Sequence, residues 1–90
     1  MEQDLTGSLQ GRVLLKATGA PVDGATIVIV RGAGPFPDMA PLTGSDGHFS
    51  LDGLAAGEWV LGAYGVSGEQ GQGRASVLPD SVAQIVIQVA

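Results

Sequence analysis

The chain has no cysteine and a single histidine among its 90 residues. No disulfide can staple the fold, and cysteine-thiolate catalysis and cysteine-ligated metal sites are excluded. Basic residues are also scarce: Arg12, Lys16, Arg31 and Arg74 are scattered against nine acidic residues, for a formal net charge of −5. Duplex binding needs clustered Lys and Arg to neutralise phosphates, so nucleic acid is excluded as a partner, and an anionic membrane surface is disfavoured for the same reason. No window approaches the ~20 apolar residues of a spanning helix, so no membrane insertion is expected. The amino-terminal MEQDLTGSLQ lacks a basic region followed by an apolar run and does not read as a signal peptide.

Glycine, by contrast, is abundant: one residue in six. It interrupts every candidate helical stripe, while the apolar runs are short, rich in Val and Ile, and bounded by turn residues. The pattern is all-β. Seven short strands are expected, over Ser8–Lys16, Ala25–Arg31, Pro41–Thr43, His48–Leu51, Glu58–Gly65, Gly73–Leu78 and Val82–Val89. In the first, Leu9, Gly11, Val13 and Leu15 share one face and Gln10, Arg12 and Lys16 the other, with Leu14 on the polar side. In the second both faces are apolar, which predicts a central strand or one covered on both faces, although the outward valines also express β propensity.

Asp23-Gly24, Asp46-Gly47 and Asp52-Gly53 are turn dipeptides: Asp bonds nearby main chain and Gly takes positive φ. Leu54, between turns, is expected to cap one end of the core, and Trp59 shares parity with Leu61 and Ala63, which places it in the core. Seven strands and this length give one domain, residues 1–90, built as an immunoglobulin-like sandwich. The polar start and the strand-like finish at Val89 fit a module of something larger.

The stretch Thr43–Gly65, TGSDGHFSLDGLAAGEWVLGAYG, carries a resemblance. It is similar to the hallmark T-D-x-D-G-x-F-x-L-x-G-L-x-x-G-x-Y-x-L of carboxypeptidase regulatory-like domains, which have a transthyretin-like or prealbumin-like seven-stranded sandwich. Thr43, Asp46, Gly47, Phe49, Leu51, Gly53, Leu54, Gly57 and Leu61 match, with Trp59 at the aromatic position. Gly11–Val13 and Ala20–Ile29 resemble the first two strands, so the likeness runs over about residues 7–89. It departs at Gly44 and in a proline-rich insert, Gly32–Pro41. The resemblance implies an accessory module in larger proteins, and it sets the aspartates and glycines in turns rather than in an active site.

Catalysis finds little support. His48 alternates outward from Phe49 and is the sole base candidate for Ser8, Ser45, Ser50, Ser67, Ser76 and Ser81. A small hydrolase would need a cleft joining His48 to carboxylates. The transthyretin-like hydroxyisourate hydrolases rely on several histidines and a terminal Tyr-Arg-Gly-Ser, and the related ring-cleaving dioxygenases hold iron through two Tyr and two His; this chain has neither set. Gly68–Gly73 lacks the Lys-Ser/Thr ending of a phosphate loop and reads as a hairpin loop. Asp46, Asp52 and Glu58 offer oxygen ligands for calcium, but without the twelve-residue calcium-loop pattern they read as turn residues. No cofactor is expected.

The expected function is a non-catalytic structural or protein-interaction module, set in a larger protein for which a secreted or surface location is one option. The candidate contact site is the irregular loop Pro35, Phe36, Pro37, Asp38 and Met39, which offers two large apolar side chains and little charge on a rigid scaffold. A carbohydrate partner is the alternative, through Trp59 or Tyr64 if either is exposed on a flat face.

Overall fold

The computed structural model describes residues 6–34 and 41–90. Six strands follow one another: β1 (Thr6–Leu15), β2 (Thr26–Arg31), β3 (His48–Ala55), β4 (Gly57–Tyr64), β5 (Gln70–Val77) and β6 (Val82–Val89). They form two three-stranded sheets, ordered β3-β1-β6 and β2-β4-β5, packed face to face as a sandwich. β1 is antiparallel to β3 but parallel to β6, with pairs running from Ser8–Val82 to Leu15–Val89. Only β4 and β5 form a hairpin within one sheet. The other connections cross between sheets, and the shortest crossing is Ala56 alone, between β3 and β4.

Alternation along the strands builds the core. Leu9, Val13, Ile27, Leu54, Trp59, Leu61 and Ile87 are fully buried between the sheets, each worth about 1.5–3 kcal/mol relative to an exposed side chain. Gln10 and Arg12 on β1, and Gln84 and Gln88 on β6, face solvent. Leu54 and Trp59 lie inside, as their positions in the sequence predict.

Four expectations are corrected. The strand anticipated at Pro41–Thr43 is a single antiparallel bridge, Leu42 to Thr26. Ile27 N–H donates to Pro41 O and Thr43 N–H to Ala25 O, both at 2.9 Å. The ladder stops there because Pro41 has no N–H and Gly44 already opens a turn, its carbonyl accepting from Gly47 N–H at 2.9 Å. Among the described residues six strands and this bridge therefore stand where seven strands were expected.

Second, Asp52-Gly53 does not end a strand. β3 runs on to Ala55 through a β-bulge, marked by the register shift between Gly7 and Leu9 opposite and by Gly53 at φ 70°. Third, β2 is not a central strand: beyond the Leu42 bridge it is the edge of its sheet, and Val28 and Val30 remain 38% and 49% exposed. Fourth, β5 starts at Gln70, so four of the six residues of the expected Gly68–Gly73 loop are ladder.

The Asp46-Gly47 turn is as predicted. Gly47 has φ 78°, and a side chain there would stand 2.6 Å from Val13 O. The open side of β2 continues into Gly32, where the indole of Trp59 packs directly on the glycine and occupies the space a side chain would take.

Candidate functional site

The region of the resemblance folds into three neighbouring features: a buried hydroxyl tie, an exposed His–Asp pair and a shallow concavity. The tie is Thr43, the one buried polar residue of the described structure, 4% exposed. Its Oγ1 accepts from Ala25 N–H at 2.9 Å and donates to Val22 O at 2.6 Å. It clamps the link between β1 and β2 to the segment before β3. Its role is structural, and no local pattern gives it away, since both partners lie 18 or more positions distant.

The pair arises from the turn itself. Asp46 Oδ1 accepts from His48 N–H at 3.2 Å, as an Asp at the head of a turn does, and this places Oδ2 at 2.6 Å from His48 Nδ1. A carboxylate only accepts, so Nδ1 carries the proton and Nε2 is left toward solvent. The His48 ring bond, and after it the His48 main-chain N–H, hold the Asp46 carboxyl below its ordinary value. Both side chains are more than half exposed, at 62% and 54%. By parity with Phe49 alone His48 reads as an outward residue; the spacing Asp-x-His across a turn into a strand is the signal for the pairing.

His48 borders an open concavity of about 450 Å³ with Gln10, Pro41, Leu42, Phe49 and Ser50. Asp52 lies at the bulge and Glu58 is on the other sheet, where it faces Arg74 at 3.8 Å with both side chains exposed, a contact of little energetic weight. Among the described residues no three His, Asp or Glu side chains gather where they could share a metal ion. No helix among them is long and apolar enough to cross a membrane.

The two aromatic candidates separate. Trp59 is fully buried, its Nε1–H donating to Ala55 O at 2.8 Å, so it offers no surface to a ligand. Tyr64 is 43% exposed on the outer face of the β2-β4-β5 sheet. The candidate loop residues Pro35, Phe36, Pro37, Asp38 and Met39 lie outside the described residues.

The family of carboxypeptidase regulatory-like domains matches residues 8–90. The chain belongs to this family. The match takes in the hydroxyl tie, the Asp46-Gly47 turn, the bulge and the buried Trp59. No curated protein matches the chain. Among solved structures it is similar to a DUF3823 family protein from Parabacteroides merdae, with a TM-score of 0.58 and 18% identity over 98% of this chain and 47% of that one. It is also similar to the pilus adhesin RrgA from Streptococcus pneumoniae, with a TM-score of 0.50 and 15% identity over 93% of this chain and 15% of the adhesin. At these identities the likeness is one of fold. This domain thus spans about half of the first neighbour's length and a small part of the second's.

Proposed function

We propose that this carboxypeptidase regulatory-like domain is a non-catalytic structural and protein-interaction module, an accessory unit of a larger, secreted or surface-associated protein. The observation that carries the reading is the state of its only histidine. His48 is bound to a single carboxylate in a solvent-exposed turn. Acid–base and nucleophilic chemistry draw on groups held together in a water-excluding site, and His48 and Asp46 are both open to water. Fold neighbours in which the same sandwich is one part of a longer chain support the accessory role.

The proposed contact is the loop Pro35–Met39. Its flanks are tied to the scaffold: Gly34 packs on Ala55, and Pro41 O accepts from Ile27 N–H. Phe36 and Met39 supply apolar contact area. The test is the double variant Phe36→Ser, Met39→Ser, compared with the parent in urea unfolding and in partner capture. The expected result is lost capture at an unchanged unfolding midpoint. A loss of about 2 kcal/mol or more of stability, the scale of core truncation, would show that the two side chains cover the core and would sink the loop reading.

A further inference from the structure

The outer face of the β2-β4-β5 sheet carries the chain's only tyrosine. The Tyr64 ring leans back along β4 over Gly62: a side chain on Gly62 would stand 3.3 Å from Tyr64 Cε2, 3.5 Å from the hydroxyl and 3.5 Å from Val30 Cγ2. The glycine leaves the dip that the ring fills. Cross-strand pairing sets the surroundings. Gly62 is paired with Val28 on β2 and Gln72 on β5, and Tyr64 with Thr26 and Gln70. The ring therefore sits between valine methyls on one side and two glutamine amides on the other. Tyr64, Gln70, Gly71 and Gln72 line a concavity of about 230 Å³.

These groups define a ligand chemistry. An exposed aromatic ring offers an electron-rich apolar face that attracts C–H groups. Glutamine amides both donate and accept hydrogen bonds. None of the four lining residues is charged, so neither anions nor cations are selected. A neutral molecule with one C–H-rich face and a rim of hydroxyls fits this combination. We propose that Tyr64, Gln70 and Gln72 form a binding site for a neutral pyranose sugar. The ring stacks on Tyr64, and the amides bond its equatorial hydroxyls. The site lies on an open sheet face, which suits a sugar within a chain laid across the strands. The proposal uses none of the residues Pro35–Met39 and stands or falls independently of their role.

The test is an NMR titration of the domain with maltohexaose, cellohexaose and xylohexaose, following backbone amides and the Gln side-chain amides. Saturable shifts centred on Tyr64, Gln70 and Gln72 with at least one sugar are expected. Tyr64→Ala should weaken that binding by about tenfold or more, as loss of one aromatic contact would. Tyr64→Phe should retain most of it, and this variant guards against a fold defect in the alanine substitution. No saturable shift with any of the three sugars overturns the assignment, as does binding that survives Tyr64→Ala in a folded domain. Concentration-dependent broadening at Val28 and Val30 without a sugar response would mark a protein-docking face instead and would also overturn it.

Discussion

Replacing Thr43 by Val tests the buried hydroxyl tie. The side chains are nearly isosteric, so packing is preserved while Oγ1 is lost. With it go the bonds to Ala25 N–H at 2.9 Å and Val22 O at 2.6 Å. Ala25 is fully buried and Val22 is 8% exposed, so water does not readily replace either partner. Each buried main-chain group left unpaired costs about 1–3 kcal/mol, which for the two groups puts the substitution at about 2–6 kcal/mol in total. A domain of this kind has only about 5–15 kcal/mol to lose. Thr43→Ser keeps the hydroxyl and loses one methyl, for about 1 kcal/mol. Urea unfolding of the three proteins reads both differences, with m unchanged if the transition stays two-state. Thr43→Val should shift the midpoint far more than Thr43→Ser. Equal effects, or a Val variant within about 0.5 kcal/mol of the parent, would refute the view that the hydroxyl bonds hold the two loops together.

Two further predictions are independent of it. Gly32→Ala drives a methyl into the Trp59 indole and should cost about 1–3 kcal/mol; because Trp59 is the only tryptophan, a red-shifted emission should accompany it, and unchanged emission and stability would show that the contact is soft. Asp46 is held below its ordinary value of 3.8, chiefly by His48. A depressed carboxyl stabilises the fold fully above that value and loses the contribution as pH falls through the lower folded-state one. Asp46→Asn should therefore flatten the acid limb of the stability profile below about pH 4, and an unaltered limb would count against the pairing.

Much of the fold is legible in the sequence because its signals are local. Alternation on β1 and β6, the Asp46-Gly47 turn and the inward parity of Trp59 each fit within a few residues. The corrections share a different origin. Asp52-Gly53 carries the same letters in a turn and in a bulge, and only the strand opposite decides between them. Val28 and Val30 read as doubly covered, yet the edge position of β2 follows from sheet order, which no window contains. The tie from Thr43 to Val22 and Ala25 and the contact of Gly32 with Trp59 join positions far apart in the chain. The exposed candidates fare likewise: the setting of Tyr64 depends on which glutamines β5 brings beside it.

The parallel pairing of the first and last strands has a mechanical side. Because β1 and β6 run the same way, Thr6 and Val89 lie at opposite ends of the sandwich. A pull on the two ends acts along the strands, so the main-chain bonds between Ser8–Leu15 and Val82–Val89 are loaded in shear and share the force. A hairpin pulled from its open end gives way one bond at a time. This topology puts an eight-pair ladder directly in the line of tension, where a link in a larger chain would bear it.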